Sequence, residues 1–376
     1  LIIKTPNNLK MEPLKTCLHS RHVALGALMS PFAGYDMPIQ YRGITEEHNA
    51  VREKVGVFDV SHMGEFYVTG KEALRFVNKV FTNDAAALID GQVAYGMLTR
   101  HDGGVVDDLL VYRFNAEKFF LVVNAANIDK DFAWLQQCHE ELKMDVKLEN
   151  RSDYYSELAI QGPDAEKTMA EVLDLNLTDL EFYHFRTAAF NGEEVIVSRT
   201  GYTGEDGFEF YASADTIIKV WDKLMDAGVE PCGLGCRDTL RFEVGLPLYG
   251  HELADDISPL EGSLSMFAKL DKPEGFIGSD AIAAQKAEGV KRRIVGLELL
   301  DRAIPRGGYE VENEQGEVIG YVTTGYRGIS VDKSIAMAMV NVPYTAKDTK
   351  VAVRIRKKVF PAVVTPRRFY KKSYKK

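Results

Sequence analysis

Cysteine, histidine and tryptophan are scarce in this chain. Its 376 residues include four Cys, eight His and two Trp. The thiols, Cys17, Cys138, Cys232 and Cys236, are too few and too scattered for a disulfide framework, which points to a reducing compartment. Cys232 and Cys236 are separated by Gly-Leu-Gly, and no second Cys or Cys/His pair follows to complete a tetrahedral site. The histidines show no His-Glu-x-x-His spacing, so no metal is expected. Long apolar runs are also missing. The best, residues 119–123 and 335–340, fall far short of the roughly 18–20 residues of a membrane span, so a soluble protein with no membrane partner is expected. No phosphate loop and no Gly-x-Gly-x-x-Gly turn opens a helix, and no Gly-x-Ser-x-Gly elbow occurs. A nucleotide fold and a serine hydrolase are therefore unsupported.

What is present is ordinary globular composition, 45% hydrophobic and 27% charged, at a length that suits two or three domains. The net charge of −9 argues against a general nucleic-acid binder, because affinity for duplexes comes from basic groups facing phosphates. That average hides an asymmetry. Residues 344–376 hold twelve Lys or Arg against one acid, Asp348, a net of +11 that leaves −20 on residues 1–343. This basic end is either a solvated tail or a docking surface for something acidic. The chain opens on Leu1 rather than Met, and residues 1–15, with Lys4 and Lys10, read as a processed targeting segment, an extension or a remnant outside the fold.

Periodicity predicts helices over 45–54, 71–81, 129–142, 164–173, 213–228 and 237–244, and strands over 65–68, 93–99, 109–114, 119–124, 158–161, 194–199 and 208–211. Beyond Pro273 helical pattern is nearly absent and six short strands follow, at 293–299, 308–311, 318–324, 334–341, 351–356 and 359–364. That change marks a boundary near 275–290 leading into an all-β barrel or sandwich. The domains are accordingly 16–280 and 288–370.

Four stretches put Gly, Asp, Glu, Tyr and Arg where a core would put aliphatics: residues 58–64, 103–109, 201–209 and 237–250. Binding loops have this texture. Asp107 and Asp108 stand at the lip of a strand and point to opposite faces, so at most one enters a given pocket. Each is a turn acid, a general base or an anchor for a developing cation. Glu209 alternates with Phe208 and Phe210; it faces water on an edge hairpin, or it lies in a pocket where two adjacent N–H donors of a ligand would satisfy both its oxygens. Arg237 and Arg241, four apart on one helix face, are surface salt-bridge residues or ligand contacts.

In this order and at these separations, the four stretches, with Pro259-Leu260-Glu261-Gly262-Ser263-Leu264 after them, resemble the T-proteins of the glycine cleavage system, folate-dependent aminomethyltransferases. The resemblance runs from about Pro31 to the C-terminal strands. It implies an α+β fold, a three-subdomain cloverleaf around a central folate channel: two interleaved α+β units, then a C-terminal all-β barrel. It implies a reaction as well: the aminomethyl carbon on the lipoyl arm of the H-protein passes to tetrahydrofolate, ammonia leaves, and glycine catabolism is the context.

By the same resemblance Asp108 is the catalytic acid beside the reactive folate nitrogens, and Glu209 grips the guanidine-like edge of the pterin. Met63, Tyr95, Val122, Asn124 and Tyr202 line the channel, Arg237 and Arg306 are ligand or anion contacts, and Tyr370 aligns with a tyrosine at the channel mouth. Met266 stands where some members have Trp. The partner is a lipoylated, acidic H-protein, which gives the basic end a use, the alternative being the glutamate tail of folate. The compartment is the cytoplasm, or the mitochondrial matrix if the source is eukaryotic. A related class that acts in iron–sulfur cluster repair carries Lys-Gly-Cys-Tyr where this chain has Arg199-Thr200-Gly201-Tyr202. The missing Cys counts against that reading, and the missing flavin half counts against dimethylglycine or sarcosine oxidation. A non-catalytic folate-binding role is the alternative of a different kind.

Overall fold

The computed structural model describes residues 12–371. Residues 1–11 and the lysines Lys372, Lys375 and Lys376 lie outside this range. Part of the segment set apart above does join the fold. The Leu14 N–H donates to the Gly34 carbonyl and its own carbonyl accepts from Asp36, both at 2.8 Å, which adds a parallel bridge onto strand Tyr35–Gln40.

Two sheets interleave along the chain. Gly56–Asp59 enters a six-stranded sheet whose order is 185–190, 193–198, 207–212, 156–161, 56–59, 230–232. Between its first strand and its next, the chain builds a five-stranded sheet ordered 93–99, 105–115, 118–123, 64–69, 147–150. Period two then assigns the faces. On the outer face of the five-stranded sheet, Phe66, Val111 and Leu121 pack against Phe76, Val77 and Leu135 of helices Ala73–Val80 and Ile128–Leu142. The six-stranded sheet buries Phe208, Phe210 and Val197 against helices Ala165–Leu173 and Ala214–Asp226, around Trp221. The inner faces meet in an aromatic cluster of Tyr112, Phe120, Phe185 and Tyr211. Asp108 shares parity with Tyr112, and Glu209 with Tyr211, so both acids continue inner faces.

The C-terminal strands close into a six-stranded barrel in the order 292–299, 334–341, 318–327, 310–312, 350–355, 358–365. Closure removes the open edges that a sandwich would leave. Strand Ser334–Asn341 is buried on both faces: Ala336, Ala338 and Val340 fill the barrel, while Ile335, Met337 and Met339 pack outward against Phe242 and Ile257. Helix Leu234–Glu243, on which Phe242 lies, starts earlier than its pattern suggested. Its Arg241 is not on the surface. Fully buried, Arg241 pairs with Glu252 at 2.9 Å and Asp238 at 2.7 Å, and Glu252 accepts the hydroxyls of Thr323 and Thr324 on the barrel. A pair buried this way is held by its complete set of partners, because an isolated buried charge is costly.

Past Pro273 the sequence pattern showed only strands, yet Ser279–Glu288 is a helix. Its signal is weak because only Ile282 is buried, among alanines that mark no face. Ile282 anchors the helix against Phe276 and Ala268. Ile282→Val is expected to cost about 1 kcal/mol in denaturant unfolding, the usual effect of deleting one buried methylene; an unchanged midpoint would mean that the helix is not docked.

Candidate functional site

The inner faces of the two sheets, helix Leu234–Glu243 and the loops after it enclose a cavity of about 670 Å³. Asp108 and Glu209 both line it, from different sheets. Met63, Tyr95, Val122, Asn124, Tyr202, Arg237 and Met266 line it as well. Among the described residues, no group of three or more His, Cys, Asp or Glu side chains is arranged to hold a metal ion.

The two aspartates do not precede their strand. It runs Val105–Asn115, so Asp107 and Asp108 are strand residues held by neighbours on both sides. Alternation then separates them: Asp107 is fully buried behind the sheet, and Asp108 faces the cavity. The Asn124 side chain joins them, its Nδ2 donating to Asp107 Oδ1 at 2.8 Å and to Asp108 Oδ1 at 2.9 Å. The Tyr95 hydroxyl donates to Asp108 Oδ2 at 2.9 Å. Burial first, and the neighbouring Asp107 second, push the Asp108 carboxyl up to about 7, against the pull of the Tyr95 and Asn124 hydrogen bonds. A carboxyl so poised can change charge near neutrality.

Glu209 is not on an edge. Its strand, Gly207–Ala212, lies between two antiparallel neighbours. Burial raises its carboxyl above the usual range, opposed by the Thr200 hydroxyl, which donates to Oε2, and by Arg237. Thr200 ends a hydroxyl chain through Ser198 to Tyr112 and Tyr211. The Arg237 guanidinium lies over the Tyr202 ring, 4.6 Å from its centroid, while the Tyr202 hydroxyl donates to the Pro247 carbonyl. Arg237 is thus a cavity residue stacked on an aromatic wall rather than a partner of Arg241 on the surface.

Two expected contacts lie elsewhere. Arg306 is exposed and stacks on Tyr326, 5.3 Å from the ring centroid. Tyr326 in turn donates to Asp238, which lines the cavity, so these two side chains link Arg306 to it. Tyr370 does not line the cavity either. The backbone N–H groups of Phe369 and Tyr370 donate to the Glu243 carbonyl, at 2.9 and 2.8 Å, and this anchoring sets the Tyr370 ring under the Arg52 guanidinium, 4.1 Å away. From the same segment it is Arg367 and Arg368 that reach the lining.

The lining also includes His62 and Glu157, which the sequence reading did not assign to it. His62 Nδ1 and Glu157 Oε2 are buried without a hydrogen-bond partner among the described residues. Burial lowers the His62 imidazole to about 4, so it is neutral at working pH, and burial next to Glu209 holds Glu157 well above the carboxylate range. Glu157 carried a signal: in Ser156–Gln161 the polar Glu157 and Gln161 alternate with Leu158 and Ile160, as on a strand with one polar inner face.

Comparison with known proteins agrees with this architecture. Residues 18–272 match the GCVT N-terminal domain, and residues 292–371 the glycine cleavage T-protein C-terminal barrel domain. A protein of Alkaliphilus oremlandii named aminomethyltransferase is 48% identical over 370 residues, 97% of this chain and 100% of that one. An aminomethyltransferase of Clostridium botulinum (strain Okra / Type B1) is 47% identical over 371 residues, again 97% and 100%. The crystal structure of the glycine cleavage system aminomethyltransferase T from Bartonella henselae matches with a TM-score of 0.90 at 32% identity, covering 96% of this chain and 99% of that one. With both halves matched and whole-length relatives near half identity, the chain belongs to the glycine cleavage T-protein family of aminomethyltransferases.

Proposed function

We propose that this chain transfers the aminomethyl carbon carried on the lipoyl arm of an H-protein to tetrahydrofolate, releasing ammonia and leaving methylenetetrahydrofolate and the dihydrolipoyl H-protein. The observation that carries this reading is that Asp108 and Glu209, from separate sheets, open into one cavity whose walls are largely apolar and aromatic. The lining fits a reduced pteridine. Met63, Leu110 and Val122 supply apolar wall, Tyr95 and Tyr202 aromatic edge, and Glu209 a buried acceptor for adjacent N–H donors.

Tetrahydrofolate, when bound, supplies the nitrogen nucleophile that takes up the carbon. Glu209 holds the guanidine-like edge, with Arg237 opposing its charge. Asp108, fixed from two sides by Tyr95 and Asn124, orients the reactive nitrogen and sets a negative charge against the cation that develops there. Arg199-Thr200-Gly201-Tyr202, with Thr200 on Glu209, supports this reading over cluster repair. The bacterial sources of the relatives support a cytoplasmic setting and a place in the glycine cleavage system.

The decisive experiment measures ammonia release from aminomethylated H-protein with and without tetrahydrofolate. Release that depends on both is expected. Folate binding with no ammonia release would leave a binding or scaffold role instead. We further expect that changing Lys371, Lys372, Lys375 and Lys376 to Gln slows association with the H-protein about three- to tenfold at low salt, with the difference shrinking as salt rises. Identical low-salt rates would make the basic end a solvated tail.

A further inference from the structure

Behind the cavity wall lies a carboxyl that this reading does not use. Asp131, in the first turn of helix Ile128–Leu142, is fully buried, and among the described residues no donor gives either of its oxygens a hydrogen bond. After burial, Asp107 is the group that bears most on its carboxyl. Asp107 has the opposite surroundings. Its Oδ1 accepts from Asn124 Nδ2 and Asn127 Nδ2, both at 2.8 Å, and its Oδ2 from the Asn124 backbone N–H at 3.1 Å. Three donors suit an anion, and none suits a neutral acid. The nearest cation, the Lys130 ammonium, is 3.8 Å from Asp131 Oδ1 but is committed to the Val106 carbonyl and the Tyr249 ring.

We propose that Asp131 is a positioning residue for Asp108: kept as the neutral acid, it donates a hydrogen bond to Asp107 while keeping its proton, fixes Asp107 as the anion, and so locks the Asn124 amide that holds the Asp108 carboxyl. The chain of contacts runs Asp131, Asp107, Asn124, Asp108, and ends at the Tyr95 hydroxyl in the cavity. Were Asp131 ionised, two anions would face each other in a site closed to solvent, one of them without a donor. Burial and the charge of Asp107 agree, holding Asp131 up to about 11. The titratable or charged groups facing the pair are Asp108, Lys130 and Tyr249, and those facing Asp108 are Asp107, Tyr95, Tyr202 and Asp131.

The inference rests on the proposed transfer reaction, and its tests separate the two. Asp131→Asn keeps a neutral donor; turnover within about threefold of wild type is expected, on a superimposable pH profile. Had Asp131 been ionised, the same change would remove a negative charge beside Asp107 and Asp108 and move the inflection to lower pH, which would overturn the proposal. Asp131→Leu removes the donor and is expected to lower kcat about tenfold with folate affinity held within twofold, as for loss of orientation. A loss that Asn fails to recover, or one confined to stability, would also overturn it. An infrared difference spectrum at about pH 9, where an ordinary carboxyl is ionised, needs no activity. A protonated-carboxyl stretch present in wild type and missing in Asp131→Asn is expected, and its absence from wild type would end the proposal even if ammonia release succeeds.

Discussion

Asp108→Asn is expected to lower turnover by about 10²- to 10⁴-fold while folate affinity stays within severalfold, as for an acid that acts mainly in the transition state. Asn preserves the shape of the side chain and an oxygen for the Tyr95 hydroxyl, and it removes the charge together with the acceptor for Asn124 Nδ2. Burial and Asp107 push the wild-type carboxyl up to about 7, and the proposed reaction uses its anion, so kcat/KM should rise through neutrality to a plateau. The variant should lack that rising limb. Unchanged turnover would exclude the role.

The same residue links activity to stability. Its folded-state value lies above that of an unfolded carboxyl, so between about pH 4 and 7 the folded state binds the extra proton and stability falls as pH rises. The unfolding free energy of Asp108→Asn relative to wild type should therefore improve across that window. A difference independent of pH would mean that Asp108 titrates normally.

Glu209→Gln is expected to weaken folate binding by about 1.5–3 kcal/mol, the size of a charge-assisted contact, which is a factor of roughly 10 to 150 in Kd. Turnover at saturating folate should fall far less than in Asp108→Asn, because in the proposed reaction Glu209 holds the ring edge and Asp108 the reacting nitrogen. The expected size reflects where the strand lies. With neighbours on both sides and Thr200 already on one oxygen, the buried carboxylate opens only toward the cavity, and a ligand's donors there are its natural complement. Equilibrium binding showing a change below about 0.5 kcal/mol, less than a typical net hydrogen bond, would mean that the ligand does not meet this carboxylate.

Much of the fold was legible because period-two and period-3.6 patterns are local. Val93–Thr99 and Ser334–Asn341 have the bounds their patterns predict, and most other predicted elements shift by a few residues. Ser279–Glu288 was missed because one buried Ile among alanines leaves no helical stripe. Glu157 was missed because its strand was read from Leu158, one residue past the polar position that faces the cavity. The pattern leaves Arg241 open between a surface salt bridge and a ligand contact because its partner Glu252 and the barrel threonines come from beyond its own helix.

Taken alone, the amino-acid order determined the family, the succession of elements, and the fact that Asp107 and Asp108 point to opposite sides. Periodicity alone left open which of the two faces the cavity; the family resemblance pointed to Asp108, and the tertiary structure turns that residue inward. Alternation along a strand is symmetric between its faces, and the choice was made by helix Ile128–Leu142, which covers one side and leaves the other open. The same packing buries Asp131 against Asp107 and turned Arg306 and Tyr370 away from the lining, since these depend on contacts between segments distant in sequence.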